Sequence, residues 1–194
     1  MLQIPGTDGQ FLATHEFYSP HDAAKARIVI VTPQKDGTWE VRTLMDLPYV
    51  HRFGILERNG VKYFIACAVK SGQDFPEDDW SYPGKVYGAP LPKDFSRFDE
   101  SHPFTMEVIM DGMVKNHGYT KTIQKGVETA VISCDSGVYL FAPPACPGAS
   151  WEITKILDEP ASDGVLVDLD GDGLDELAVI SPFHGERIRI YHEQ

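Results

Sequence analysis

Three segments of the chain share one pattern: WEVRTLMD at residues 39–46, FTMEVIMD at residues 104–111 and WEITKILD at residues 151–158. Each copy begins with an aromatic residue, carries apolar side chains at a period close to two, and ends in an apolar residue followed by aspartate. This alternation predicts a half-buried β-strand that runs into a turn.

The segments that follow the three copies also correspond to one another. Each copy is followed by three further strand-like segments, and the first two are joined by Asn59-Gly60, by Lys125-Gly126 or by an aspartate-rich loop. Glycine at these positions favours tight turns between antiparallel strands. Tandem four-stranded units of this kind are typical of the blades of a β-propeller. A β-sandwich would account for the strands and turns, but not for the similarity between the units.

The repeat predicts an all-β chain of about four blades. We expect a partial blade at residues 1–46, complete blades at 47–111 and 112–158, and a second partial blade at 159–194. A ring left open would expose strand edges. Three arrangements therefore remain: a small closed ring, a homodimer that completes a larger ring, or a segment of a longer chain. The last two are favoured, because the first and last blades are both incomplete.

The loop DLDGDGLDE at residues 168–176 carries oxygen ligands at alternate positions. Calcium takes roughly six to eight such ligands. The candidate ligands are Asp168, Asp170, Asp172, the backbone carbonyl of Leu174, and Glu176. An EF-hand is excluded, because its twelfth position is Val179 and a strand-like segment follows instead of a helix.

This loop resembles the DxDxDGxxD loop of FG-GAP or VCBS repeats, the blade type of integrin α-subunit propellers. The match covers Asp168, Asp170, Asp172 and Gly173, with Glu176 in place of the last aspartate. The resemblance implies a structural calcium between the first two strands of a blade. The overall pattern also resembles the propeller domains of polysaccharide lyases and of aldos-2-ulose dehydratase, but it identifies no catalytic residues here.

Several histidines fall at corresponding positions of the repeats. His51 and His117 align with Asp163 at the start of the innermost strand, while His21 and His184 each follow a Ser-Pro pair. In a propeller these positions share the face on which the central channel opens. The catalytic candidates are His51, His117, Tyr119 and Arg52; the ligand-binding candidates are His21, His184, Asn116, Trp80 and Tyr82.

This group of side chains is compatible with several kinds of chemistry. Histidine is a general base near neutral pH, and tyrosine can serve as its acid, as in a lyase or dehydratase. Paired histidines also bind transition metals, and aromatic side chains bind sugars. We expect a ligand-binding propeller that binds or acts on carbohydrate. The alternatives are a protein-interaction scaffold, a His/Tyr lyase or dehydratase, and histidines that only make structural hydrogen bonds.

Composition excludes several classes of partner. The formal net charge is −12, from 29 acidic and 17 basic side chains, which argues against binding to nucleic acid or to an anionic membrane surface. No apolar run is long enough to span a membrane. No signal peptide is visible, which favours the cytoplasm unless the chain is a piece of an exported protein. The three cysteines are too scattered for a disulfide framework.

Overall fold

A computed structural model of the chain describes residues 1–72, 76 and 79–192, and it contains four antiparallel β-sheets. The first sheet comprises β1 (Leu2–Gln3), β2 (Phe11–His15), β3 (Arg27–Pro33) and β4 (Trp39–Asp46). The second comprises β5 (Val50–Arg58), β6 (Val61–Lys70), β7 (Pro83–Pro90) and β8 (Glu107–Met113). The third comprises β9 (Gly118–Gln124), β10 (Val127–Cys134), β11 (Gly137–Ala142) and β12 (Glu152–Leu157). The last comprises β13 (Asp163–Val167), β14 (Glu176–Ser181) and β15 (Arg187–Tyr191).

The all-β prediction is confirmed, and within each sheet the strands lie in chain order. The three copies of the repeated stretch form β4, β8 and β12, each the last strand of its sheet. The first sheet has a fourth strand, the two-residue β1, that the sequence pattern did not indicate. In the described part of the chain there is no helix that is long and apolar enough to cross a membrane.

Successive sheets pack face to face and bury three separate hydrophobic clusters. The first cluster lies between sheets one and two and includes Leu12, Ile28 and Phe64. The second lies between sheets two and three and includes Ile65, Cys67, Ile132 and Phe141. The third lies between sheets three and four and includes Val131, Leu177 and Val179. Strands β6 and β10 contribute to the clusters on both sides of their sheets, which explains why they are almost continuously apolar.

The first strands of sheets two, three and four lie side by side, with β9 between β5 and β13. The Thr120 hydroxyl donates a hydrogen bond to the Gly164 carbonyl oxygen over 2.7 Å, which ties β9 to β13. On the other side of β9, the Tyr119 ring lies against Gly54 of β5. The beginnings of these three strands are therefore brought to the same end of the stack.

The outer faces of the first and last sheets are uncovered in the described chain, so no closed ring is observed. On the last sheet, strand pairing places Val165, Ile180, Ile188 and Ile190 on the face away from the third sheet, and all four are exposed. On the first sheet, Trp39 and Val41 are exposed on β4. The four sheets thus form an open row with an apolar surface at each end.

Candidate functional site

Aromatic and imidazole rings from all four sheets meet at the end of the stack where β5, β9 and β13 begin. We call this group the ring cluster. It consists of Phe17 and His21 from the β2–β3 connection, His51 from β5, Trp80 from the β6–β7 connection, His117 from the residue before β9, and Phe183 and His184 from the β14–β15 turn.

The rings form one continuous path of contacts. Phe17 stacks on His51 with ring centroids 4.9 Å apart, and His51 lies 4.7 Å from His117. His117 contacts both Phe183 at 5.4 Å and His184 at 4.9 Å. The path continues from Phe183 to Trp80 and from Trp80 to His21, each over 5.2 Å. The path therefore contains all four histidines that the sequence analysis places on one face: His21, His51, His117 and His184.

Local backbone irregularities orient the histidines. The β5–β6 register shifts between Val50 and Arg52, so that His51 lies in a β-bulge, a feature that redirects a side chain. The residues two positions before His51 and His117, Tyr49 and Lys115, both have positive φ angles, of 61° and 54°. His184 itself has a φ of 50°. Non-glycine residues adopt this conformation at a cost, and such strain is concentrated at functional sites.

His117 is held in one tautomer by the backbone. Its Nδ1 lies 3.2 Å from the Ser162 carbonyl oxygen. Because a carbonyl oxygen only accepts, Nδ1 carries the proton and Nε2 keeps its lone pair. That Nε2 lies 3.3 Å from Nε2 of His184. Burial is the main cause that lowers the pKa of His117, although the hydrogen bond to Ser162 opposes it.

His51 lies deeper in the cluster. Its Nε2 is buried and has no hydrogen-bond partner. Burial, reinforced by the neighbouring His117, Arg52 and His184, lowers its pKa from 6.5 to about 4. The ring is therefore neutral at physiological pH. An unpartnered buried nitrogen is costly, and because this atom has no accessible surface, a ligand does not reach it in this arrangement.

Two lysines border the ring cluster. The ammonium group of Lys70, a fully buried side chain, lies 3.2 Å from Nδ1 of His21 and 5.4 Å from the centre of the Trp80 ring. Lys115 lies 5.7 Å from the Trp80 ring and 5.5 Å from the Phe183 ring, and it forms an ion pair with Asp135 over 3.0 Å. Cation–π contacts of this kind hold the two rings in place.

The remaining candidates from the sequence occupy different environments. Tyr119 packs into the core between sheets two and three, where burial raises the pKa of its phenol. Asn116 is buried and donates hydrogen bonds to the carbonyl oxygens of Ala68 and Lys85, leaving its Oδ1 unpartnered. Arg52 is exposed beside the histidines. Tyr82 is half exposed, and its carbonyl accepts a hydrogen bond from Ser71. The β6–β7 connection, which carries Trp80 and Tyr82, lies partly outside the described residues.

Asp163 occupies the position that histidine holds in the two preceding repeats. It starts β13, and burial raises the pKa of its carboxyl group. Arg52 and His117 act in the opposite direction and favour the charged form. The three aligned positions thus differ in chemistry, with two imidazoles and one carboxylate around the same end of the stack.

The aspartate-rich loop lies at residues 168–175, between β13 and β14. Carboxylate oxygens of Asp168, Asp170 and Asp172 all lie within 4.8 Å of one another. The loop closes through backbone N–H groups: Gly171 and Gly173 donate to Asp168, over 2.6 and 3.1 Å. Both glycines have positive φ angles, of 81° and 92°, which suits them to this tight turn.

Glu176 differs from the three aspartates because it is buried, with 2% of its surface exposed. One carboxylate oxygen accepts a hydrogen bond from the Leu169 N–H over 2.7 Å, and the other lies 3.4 Å from Nδ1 of His192. Ligand atoms of Asp170, Glu176 and His192 also lie within 4.8 Å of one another. His192 is a neighbour that the loop motif did not predict.

Sequence reasoning also missed Phe17, Phe183, Lys70 and Lys115 as members or neighbours of the ring cluster. Phe183 carried a usable signal, because it precedes His184 within the Ser-Pro segment that the repeat comparison identified. Lys70 did not, since a lysine at the end of an apolar strand is ordinarily exposed.

A groove of about 600 Å³ lies away from the ring cluster. It is lined by residues of sheets one and two and of the β7–β8 connection, among them Arg27, Met45, Tyr87, Glu100 and Phe104. Its walls carry several apolar side chains, one arginine, Arg27, and two carboxylates, Asp46 and Glu100. Both carboxylates lie within ion-pair distance of Arg27, so the charged groups of the groove are already paired with one another. The ring cluster is therefore the better candidate site.

No protein-family model matches the chain, and no curated protein is significantly similar to it in sequence.

Proposed function

We propose that this protein is a β-propeller of FG-GAP or VCBS type that binds a carbohydrate at the ring cluster and carries a structural calcium ion in its aspartate-rich loop. The observation that carries the proposal is the convergence of rings from four successive sheets at one end of the stack. A surface assembled from every repeat is typical of ligand sites in repeat proteins.

The arrangement of the sheets supports the assignment to the propeller architecture. Each sheet packs on the next, and the first strands of sheets two to four lie together on one side. In a propeller, such strands line the central channel. The aspartate-rich loop also joins the first two strands of its sheet, where the FG-GAP or VCBS motif has its loop.

The proposed calcium site has the oxygen ligands that this ion requires. Three carboxylates converge within 4.8 Å, and the Leu174 carbonyl is available in the same loop. Glu176 is already engaged with Leu169 and His192, so we assign it to the support of the loop or to a water-mediated contact. Calcium would offset the repulsion between the aspartates and fix the β13–β14 connection.

The chemistry of the ring cluster suits a sugar. Sugar rings present C–H faces that pack on aromatic rings and hydroxyl groups that exchange hydrogen bonds with polar side chains. Trp80 and Phe183 supply rings, and the exposed His184 supplies a polar imidazole. Arg52 supplies donors at the exposed edge.

Titration calorimetry with a panel of neutral and acidic mono- and oligosaccharides tests this proposal. We expect Phe183→Ala and Trp80→Ala to weaken binding at least tenfold, while Trp39→Ala, an exposed tryptophan on β4, leaves it unchanged. Absence of binding across the panel, or equal losses in all three variants, would refute the assignment.

A protein-interaction scaffold is the second candidate, and the exposed apolar face of the last sheet favours it. Val165, Ile180, Ile188 and Ile190 form a continuous surface that resembles the faces buried between the other sheets. We propose a second copy of this chain as the occupant, because the first sheet offers a matching apolar face around Trp39 and Val41. Such a homodimer would continue the sheet stacking already present within one chain.

A lyase or dehydratase with Tyr119 as its acid has weaker support. The phenol lies in the core beside Gly54, and among the described residues none is hydrogen-bonded to it. Histidine-based chemistry at the ring cluster would need a different acid.

A further inference from the structure

We propose that His117 and His184 form a binding site for a transition metal ion of the zinc class, separate from the aspartate-rich loop. The inference does not depend on carbohydrate binding. It rests on the geometry of the two imidazoles and on the groups that hold them in place.

The distance between the two nitrogens fits a shared metal ion. Zinc–nitrogen bonds of roughly 2.0–2.1 Å in tetrahedral geometry separate two ligand nitrogens by about 3.3–3.4 Å. Nε2 of His117 and Nε2 of His184 lie 3.3 Å apart. Without an ion, the same separation is that of a weak N–H···N hydrogen bond, in which only one of the two nitrogens carries a proton. The pair can therefore accept an ion between the rings with little movement.

His117 is already oriented as a metal ligand. The proton on Nδ1 is donated to the Ser162 carbonyl oxygen, and the lone pair on Nε2 points to His184. This hydrogen bond from the non-coordinating nitrogen is the usual way in which proteins fix the tautomer and direction of a histidine ligand. Ser162 is itself held, because its N–H donates to the Ile180 carbonyl oxygen over 2.8 Å.

His184 is presented by the β14–β15 turn. Its backbone lies in the left-handed region, and its ring stacks on Phe183 with centroids 4.1 Å apart. The stacking limits rotation of the imidazole. The residue is exposed, so an ion in solution can reach it.

The remaining metal positions are open to solvent or to an exogenous ligand. His51 adjoins His117 and has a buried, unpartnered Nε2. Among the described residues, two sets of three potential ligand groups lie within 4.8 Å of one another, and both are at the aspartate-rich loop. His51 belongs to neither set, so it is not assigned as a third ligand. Two imidazoles with open positions suit zinc, copper or nickel, which prefer nitrogen ligands, rather than calcium, which prefers oxygen.

The test is titration of metal-free protein with Zn²⁺ in the presence of excess calcium, which keeps the aspartate-rich loop occupied. We expect one zinc site, and we expect His117→Ala and His184→Ala each to weaken it by about tenfold or more. His102→Ala removes an exposed histidine of the β7–β8 connection and should have no effect. Asp170→Ala should also retain the site.

Nitrogen-15 spectra of the histidine side chains provide a second measurement that does not depend on affinity. Zinc should shift the Nε2 resonances of His117 and His184 and leave that of His102 unchanged. His184→Gln, an exposed substitution, guards against misfolding, and its melting temperature should match that of the wild type. Zinc binding that survives both histidine substitutions, or that only Asp170→Ala abolishes, would overturn the proposal.

Discussion

The contact between Gly54 and Tyr119 offers a direct test of how the second and third sheets pack. A Cβ atom added at Gly54 would lie 2.9 Å from Cε1 of Tyr119 and closer still to its ring carbon Cζ and hydroxyl oxygen. Real Cβ atoms do not approach other heavy atoms so closely. The ring cannot easily withdraw, because it packs against the cluster that includes Leu56 and Ile65. Gly54→Ala should therefore lower the free energy of unfolding by about 3 kcal/mol, the upper part of the range for overpacking.

Removal of the ring should abolish this cost. Tyr119→Ala alone leaves a cavity in a half-buried position, and we expect it to cost about 2–3 kcal/mol. In the double variant the alanine at position 54 would occupy vacated space, so its stability should be close to that of Tyr119→Ala alone. The double variant should thus be about 3 kcal/mol more stable than the sum of the two single effects predicts.

Urea unfolding of the four proteins, followed by fluorescence and far-ultraviolet circular dichroism, measures this cycle. Gly60→Ala is the matched control. It lies in the β5–β6 turn with a φ of 74° and no heavy atom near an added Cβ, so it should cost about 1 kcal/mol and combine additively with Tyr119→Ala. If the costs of Gly54→Ala and Tyr119→Ala were also additive, the contact between Tyr119 and Gly54 would be refuted. Tyr119 would then again be a candidate acid at the ring cluster.

Three further predictions concern calcium, pH and association. Calcium at about a hundred times its dissociation constant should add roughly 2.7 kcal/mol to the free energy of unfolding and raise the melting temperature by about 5–10 °C. Asp170→Ala should abolish this rise, and the control Asp36→Ala should retain it. A wild-type protein whose melting temperature does not respond to calcium would contradict the calcium site. The pKa of His51 is lower in the folded chain, about 4, than in the unfolded chain, 6.5, so the unfolded chain binds a proton more readily. The free energy of unfolding should therefore be highest above pH 6.5 and should fall as the pH decreases to about 4. The expected loss is roughly 2 kcal/mol after allowance for the partial exposure of the ring. Between pH 6.5 and 4, the urea midpoint of unfolding should fall more steeply with decreasing pH for the wild type than for His51→Gln, which lacks the titrating ring. Equal slopes for the two proteins would exclude His51 as the source of this pH dependence. Solution scattering should show a dimer that Ile188→Lys dissociates, and a compact wild-type monomer would argue against the proposed partner.

Strand content and strand order follow from the sequence because they depend on local patterns. Alternating apolar residues mark β4 and β12, and glycine turns such as Asn59-Gly60 mark the hairpins. The repeat comparison also placed His51 and His117 at equivalent positions, because strand register relates residues in corresponding units. The two-residue β1 was missed, since so short a strand has no periodicity.

The surroundings of the ring cluster show where prediction from local patterns stops. Tyr119 lies two residues after His117, and the sequence alone predicts it as a site residue. Whether its ring points to the histidines or into the core depends on Gly54, which belongs to another sheet and leaves room for the ring. Lys70 and Phe183 adjoin the cluster only because loops from different sheets meet there.

The class of fold, the succession of antiparallel sheets and the position of the aspartate-rich loop can thus be predicted from the amino-acid sequence. These are properties of neighbouring residues, and hydrophobic period, turn chemistry and ligand spacing express them directly. The packing of whole sheets is needed to learn which side chains meet between them: the 3.3 Å contact of His117 with His184, the unpartnered nitrogen of His51 and the packing of Tyr119 against Gly54. Those contacts join residues far apart in the chain, and they arise from the way whole sheets pack, which no local pattern specifies.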